Sequence, residues 1–127
     1  MSSILVCEDH ATIRALVGEL LAGDGHTVVA CASVGEALAG IAAASPDLVL
    51  ADLHLRGGES ARELIARLRA DSDLAGVPIV LMSGEFDGAS GAYAARFAAD
   101  ATISKPFDPE ELLTLVNGLL ERPPDRG

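Results

Sequence analysis

The chain has 127 residues, half of them apolar, and a formal net charge of −10 at pH 7. This length and apolar content are enough for one domain with a single buried core, which excludes a disordered chain. The strongly negative charge argues against direct binding to nucleic acid or to an anionic membrane surface.

The first residues predict a strand and not a targeting segment. Ile4–Cys7 is an apolar run that ends on Glu8 and Asp9, without the basic flank and long apolar stretch of a signal peptide. No apolar run in the chain approaches the length that spans a membrane. We therefore expect a cytoplasmic protein that does not associate with membranes.

Strand-like and helix-like segments alternate five times along the chain, a pattern typical of βαβ units. The predicted strands are Ile4–Cys7, Thr27–Cys31, Leu48–Ala51, Ile79–Met82 and Ala101–Ser104. The predicted helices are Thr12–Ala22, Ser33 to about Ala44, Glu59–Ala70, Ala89–Ala99 and Leu112–Glu121. Their alternation predicts an α/β fold with a doubly wound parallel sheet between two layers of helices.

Capping signals fix the ends of several helices. Ser33 is followed three residues later by Glu36, which is a capping box, and Asp108 precedes Pro109 at the start of the last helix. Residues 1–121 are predicted to form the domain, and 122–127 a flexible C-terminal tail. Cys7 and Cys31 lie in predicted strands without the CxxC spacing of a metal or redox pair, so we expect buried, reduced thiols.

Four of the predicted strands end on reactive polar residues. The acid pair Glu8 and Asp9 follows the first strand, Asp52 the third, Ser83 the fourth and Lys105, the only lysine, the fifth. The carboxyl ends of parallel strands meet at one edge, where ligands of open α/β sheets bind. Three carboxylates that meet there repel one another and need a cation, and an all-oxygen donor set favours Mg²⁺.

A carboxylate beside Mg²⁺ and an ammonium group can act as a nucleophile toward phosphorus and form an aspartyl phosphate. Asp52 is the predicted nucleophile because it stands alone at the end of the middle strand. Ser83 can donate its hydroxyl to one phosphoryl oxygen, and Lys105 can bind another. Each of these residues by itself would be an ordinary cap, turn residue or surface charge, and only their common edge favours a site.

The order of acid pair, Asp, Ser and Lys-Pro over nearly the whole chain resembles the receiver domain of two-component response regulators, of the chemotaxis-type single-domain kind. The resemblance implies a flavodoxin-like (βα)5 sandwich with strand order 2-1-3-4-5. It also implies that Glu8, Asp9, Asp52 and the backbone carbonyl of His54 hold Mg²⁺. Asp52 would then accept a phosphoryl group from a sensor histidine kinase or a histidine phosphotransfer protein.

The implied function is a signalling switch that changes its contacts with a downstream target protein and catalyses only its own phosphorylation and dephosphorylation. Thr102 departs from the family pattern, which usually has an aromatic ring three residues before the lysine, so we expect the signal output to take another route. A dinucleotide-binding domain would need a glycine-rich first turn, and a haloacid dehalogenase-type hydrolase would need an acid at His54. A pseudo-receiver that binds a partner without phosphate stays open as an alternative.

Overall fold

The computed structural model describes residues 2–53, 61–83, 99–104 and 107–121. Nine elements fall within these ranges. The strands are β1 (Ser3–Cys7), β2 (Thr27–Cys31), β3 (Leu48–Asp52), β4 (Ile79–Ser83) and β5 (Ala101–Ser104). The helices are α1 (Ala11–Gly23), α2 (Val34–Ala43), α3 (Ala61–Ala70) and α4 (Pro109–Leu120).

The five strands form one parallel sheet in the order β2-β1-β3-β4-β5. The order reverses between β1 and β3, which leaves β2 at one edge of the sheet and β5 at the other. The doubly wound parallel sheet that the sequence predicts is confirmed, and so is the flavodoxin-like strand order that the resemblance implies. The carboxyl ends of β1 and β3 flank the reversal, where a crevice forms in folds of this kind.

Two hydrophobic clusters cover the two faces of the sheet. One contains Leu5, Cys7 and Val49 with the apolar sides of α2 and α3, and the other contains Ile4 and Val6 with those of α1 and α4. Neighbouring residues of β1 and β3 alternate between the clusters, because successive side chains of a strand point to opposite faces. The central strands are therefore buried on both sides, which explains their continuous apolar runs.

The predicted helix caps are present in the structure. The Ser33 hydroxyl accepts a hydrogen bond from the Glu36 backbone N–H at 3.1 Å, and the Glu36 carboxylate accepts one from the Ala32 N–H at 2.8 Å. The Asp108 carboxylate accepts from the Glu110 N–H at 2.9 Å, with Pro109 as the first helical residue. These side chains satisfy backbone donors that the first helical turn leaves without partners.

Some element boundaries differ from those predicted. β3 and β4 each run one residue further and include Asp52 and Ser83, since both residues continue the parallel pairing. The helix predicted at Ala89–Ala99 lies outside the described residues except for its last position, and the predicted tail 122–127 lies outside them entirely. Among the helices of the described ranges, none has the length and apolar character needed to cross a membrane.

Polar side chains tie the elements together at the amino edge of the sheet. The Arg69 guanidinium donates to the backbone carbonyls of Ala75 and Val77, both at 2.8 Å, and to the Asp100 carboxylate at 2.9 Å. The same carboxylate accepts from the Ile79 N–H at 2.8 Å. Arg69 thus joins the end of α3 to the loop that follows it and to the starts of β4 and β5.

Candidate functional site

The carboxyl edge of the sheet holds all the polar or charged residues that are buried in the described part of the chain. These residues are Glu8, which is fully buried, Asp52 at 7% exposure and Ser83 at 2%. Burial of a carboxylate is costly unless an opposite charge or several hydrogen bonds compensate for it. Two buried acids and a buried hydroxyl at one edge therefore make this edge the candidate functional site.

Glu8 follows the last residue of β1 and is held by several hydrogen bonds. Its backbone N–H donates to the Cys31 carbonyl at 2.9 Å, which extends the pairing of β1 with β2. Its carbonyl accepts from the Arg14 guanidinium at 2.8 Å, and its carboxylate accepts from the His10 N–H at 3.1 Å. These bonds fix the turn between β1 and α1 and hold the carboxylate at the sheet edge.

Asp9 and His10 lie beside the Glu8 carboxylate. One ligating atom from each of the three residues lies within 4.8 Å of the other two. The Asp9 side chain is 19% exposed, whereas the His10 ring is 74% exposed, with Nδ1 3.9 Å from the Asp9 carboxylate and 4.0 Å from that of Glu8. His10 follows the acid pair directly in the sequence, but only the structure shows its distances to both carboxylates.

Sheet register brings Asp52 and Ser83 to the same edge. Cys7 pairs with Ala51, so Glu8 and Asp52 are the next residues on adjacent strands. Asp52 pairs with Met82, and Ser83 is the next residue of β4. The structure therefore brings together the sequence-predicted residues of the first, third and fourth strands.

Two further predicted site residues, Lys105 and His54, lie outside the described residues. Lys105 directly follows Ser104, which pairs with Ser83 across β5 and β4. Thr102 is half-buried and pairs with Leu81, so it lies two residues before the edge. Its position on β5 is as predicted, and its small side chain replaces the ring that the family usually has there.

The donor set at this edge fits a hard divalent cation. Glu8 and Asp9 supply carboxylate oxygens within 4.8 Å of each other, and Asp52 supplies another at the end of the neighbouring strand. Carboxylates in such a cluster attract a cation that prefers oxygen ligands, and neither cysteine is part of it. The acidic edge could therefore hold a metal ion.

A comparison with known protein families identifies the family of this chain. The sequence model of the response regulator receiver domain matches residues 4–117. The chain belongs to the response regulator receiver domain family. Membership in this family confirms the resemblance seen in the sequence, and the strand order agrees with it.

Relatives and solved structures agree with the assignment to the receiver domain family. The DNA-binding response regulator MtrA of Mycobacterium tuberculosis is 35% identical over 122 residues, which cover 96% of this chain and 52% of MtrA. A response regulator structure from Chloroflexus aurantiacus has a TM-score of 0.87 and 28% identity, with 95% of this chain and 98% of that chain covered. Chemotaxis response regulator CheY4 of Vibrio cholerae gives a TM-score of 0.85 and 26% identity, with 94% and 98% covered.

This receiver domain spans about half the length of MtrA, whereas it covers nearly all of the Chloroflexus aurantiacus and CheY4 chains. Receiver domains act in two-component signalling, where they interact with histidine kinases, and they are signalling switches and not classical enzymes. The expected place of the chain in two-component signalling is thereby confirmed.

Proposed function

We propose that this receiver domain is a phosphorylation-activated switch and that Asp52 is its phosphoacceptor. The observation that carries the proposal is the presence of the buried Glu8, Asp52 and Ser83 at one edge of the sheet. A carboxylate oxygen of Asp52 attacks the phosphorus of a phosphohistidine on a histidine kinase or phosphotransfer protein. The P–N bond breaks, and the donor imidazole leaves as a neutral ring because its other nitrogen already carries a proton.

Asp52 is better placed for this role than the other two acids. It ends the middle strand of the sheet, between the edge positions of β1 and β4. Glu8 has its carboxylate engaged by the His10 N–H, and Asp9 adjoins it, so both suit a metal-holding role. An acceptor flanked by neighbours on both sides can be reached by groups that stabilise a transferring phosphoryl group.

Glu8, Asp9, Asp52 and the backbone carbonyl of His54 would hold Mg²⁺. When bound, the ion neutralises negative charge on the phosphoryl oxygens. The cluster offers carboxylates but few other ligands, and Mg²⁺ commonly keeps several of its waters in such sites. We therefore expect weak, reversible binding of the ion.

Ser83 and Lys105 would bind the phosphoryl group once it is on Asp52. Ser83 is the last residue of β4, one step beyond the pairing partner of Asp52, and its hydroxyl can donate to one phosphoryl oxygen. Lys105 follows β5 and supplies a compact charge for another oxygen. The added charge shifts an equilibrium between two surface conformations, which changes a protein–protein contact with a downstream target.

The proposed domain covers residues 1–121. The net charge of −10 makes this part of a signalling protein a poor ligand for a phosphate backbone, so its output is assigned to protein partners. A cytoplasmic location accompanies this role, since histidine kinases present their phosphohistidine there.

Intact mass after incubation with acetyl phosphate and Mg²⁺ tests the proposal. Wild type should gain the mass of one phosphoryl group, Asp52→Asn should gain nothing, and chelation of the metal should abolish the gain in wild type. Asp73→Asn, at an exposed acid far along the chain, is the matched control and should be labelled like wild type. Labelling of Asp52→Asn would refute the acceptor, and no labelling of wild type would favour the phosphate-independent pseudo-receiver.

A further inference from the structure

The two cysteines, which are 24 positions apart in the sequence, are direct neighbours in the sheet. Cys7 ends β1, Cys31 ends β2, and the two are pairing partners in the parallel register. Neither is in a disulfide bond, and both belong to the same hydrophobic cluster, so their side chains are on one face of the sheet. These two are also the only cysteines of the chain.

The spacing of paired strands allows a disulfide, although a strained one. Neighbouring strands lie about 4.8 Å apart, within the range of about 4.4–6.8 Å that Cα atoms of a disulfide span. Side chains at paired positions point the same way, so their Cβ atoms also lie about 4.8 Å apart, slightly beyond the usual limit of about 4.5 Å. Closing the bond requires the two strand ends to draw together by a few tenths of an ångström.

The surroundings allow such a movement. β2 is an edge strand, paired with β1 alone in the described sheet, and three of its five residues are exposed. The Cys7 thiol donates to the Ser33 carbonyl at 3.5 Å, so it leans toward the chain that leaves β2. A Cβ added to Gly40 would lie 3.3 Å from the Leu5 Cδ1 atom and 3.9 Å from the Cys31 sulfur, so α2 packs closely over both residues and the movement falls to the edge strand.

We propose that Cys7 and Cys31 form a reversible intramolecular disulfide, which makes this end of the sheet a site of oxidation by peroxide. The Cys31 thiolate attacks one oxygen of hydrogen peroxide, which gives a sulfenic acid and releases hydroxide. The Cys7 thiolate then attacks that sulfur, and the S–S bond forms as a second hydroxide leaves. The two protons lost by the thiols convert both hydroxides to water, so two thiols and one peroxide yield one disulfide and two waters.

Burial makes this reaction slow, and strain makes its product easy to reverse. Burial raises the pKa of the Cys31 thiol, the Glu36 charge raises it further, and Arg14 opposes both. Both sulfurs are also shielded from solvent, at 0% exposure for Cys7 and 4% for Cys31, so the oxidant reaches them slowly. Strained disulfides are more oxidising than relaxed ones and are readily reduced by thiols, which suits a regulatory bond.

The disulfide would act on the acidic edge through one shared hydrogen bond. Cys7 directly precedes Glu8, and the Glu8 N–H donates to the Cys31 carbonyl at 2.9 Å. A movement of either cysteine therefore shifts the backbone that holds the Glu8 carboxylate. This consequence rests on the proposed metal site, whereas the disulfide itself does not.

Mass spectrometry of the full chain tests the disulfide. Reduced protein is treated with hydrogen peroxide, denatured in iodoacetamide and weighed. We expect a monomer that is two hydrogens lighter and takes up no iodoacetamide, and that takes up two after reduction by dithiothreitol. Trypsin cleaves after Arg14 and Arg56, so the two cysteines fall on separate peptides that the disulfide should join.

Two controls make the result decisive. Cys7→Ala and Cys31→Ala should each fail to form the lighter monomer, and wild type treated in urea shows that the oxidant is sufficient. Unchanged thiols in the folded protein, sulfinic or sulfonic acids without cross-linked peptides, or disulfide-linked dimers would each overturn the proposal. The peptide map uses wild type alone, so it decides the matter even where a variant fails to fold.

Mg²⁺ titration of both redox forms tests the consequence separately. The midpoint of thermal unfolding is followed as Mg²⁺ is added to reduced and to oxidised protein. We expect the oxidised form to bind roughly tenfold more weakly, the lower end of the effect of disturbing groups that orient metal ligands. Equal affinities would refute the coupling, and a reduced form that ignores Mg²⁺ would count against the proposed metal site while leaving the disulfide result intact.

Discussion

Asp9→Asn should stabilise the metal-free protein, although it alters a residue proposed to bind the metal. The carboxylates of Glu8 and Asp9 have oxygen atoms within 4.8 Å of each other. Two unit charges at that distance repel by about 3.5 kcal/mol at an effective dielectric near 20. Glu8 is fully buried and the Asp9 side chain is 19% exposed, so water screens only part of this repulsion.

The expected net gain is smaller than the full repulsion. The variant loses the attraction between Asp9 and the exposed His10 ring, which is worth little in water. It also weakens the other contacts of the Asp9 side chain. We expect the free energy of unfolding to rise by about 1–2 kcal/mol, which corresponds to a melting temperature higher by about 3–8 °C for a domain of this size.

Magnesium should reverse the order of stability. At a concentration about 100 times its dissociation constant, a ligand that binds only the folded state adds about 2.7 kcal/mol. Wild type should gain this amount, and Asp9→Asn, with one ligand weakened, should gain much less. Urea unfolding followed by circular dichroism measures both effects, because the chain has no tryptophan to report by fluorescence.

Glu19→Gln provides the matched control for Asp9→Asn. It removes one negative charge from an exposed position of α1 and should change neither the stability nor its response to Mg²⁺. A metal-free Asp9→Asn protein that is less stable than wild type would refute the reasoning from repulsion. Equal gains from Mg²⁺ in both proteins would show that Asp9 contributes nothing to metal binding.

Two other contacts and the burial of Cys31 give predictions that unfolding or labelling can check. Arg69→Gln leaves the mostly buried Asp100 carboxylate without its cation and should cost about 2–4 kcal/mol in urea unfolding, whereas a loss below about 1 kcal/mol would contradict this. Asn117→Ala removes the acceptor 2.9 Å from Nε2 of His26, whose ring is 10% exposed, and should cost about 1–3 kcal/mol; an unchanged unfolding midpoint would count against it. Burial raises the pKa of the Cys31 thiol. The contribution of this thiol to the stability of the fold is therefore complete below its pKa in the unfolded chain, and it is lost as pH rises through its pKa in the folded protein. Iodoacetamide should accordingly label Cys31 more slowly in the native protein at pH 8 than in urea, and equal rates would refute this.

The elements that the sequence predicted well are those specified by neighbouring residues. Apolar runs such as Leu48–Ala51 were bounded by polar residues, and the caps Ser33 and Asp108 were recognisable from residues two or three positions away. The strand ends then followed from the parallel arrangement, which placed Asp52 and Ser83 at one edge. Local pattern was sufficient because each of these features is decided within one element or its junction.

Contacts between distant elements could not be read from the sequence. The pairing of Cys7 with Cys31 depends on the register of β1 against β2, which no local pattern encodes. The hydrogen bond of His26 to Asn117 joins residues 91 positions apart, and His10 approaches the acid pair only because the chain turns there. Such contacts result from packing of whole elements, so they appear only once the fold is assembled.

The contacts of Arg69 at the amino edge of the sheet affect the position of the opposite end of β5. β5 has only four residues, so the Asp100 anchor before its start and Ser104 at its end are about 13 Å apart. The strand is short and stiff, and Asp100 holds its first end through hydrogen bonds to Arg69 and to the Ile79 N–H. The position of Ser104, which directly precedes Lys105 in the sequence, therefore depends on the contacts at the first end of the strand. A substitution at Arg69, remote from the acidic edge, can thus shift Ser104 while Glu8, Asp52 and Ser83 stay unchanged.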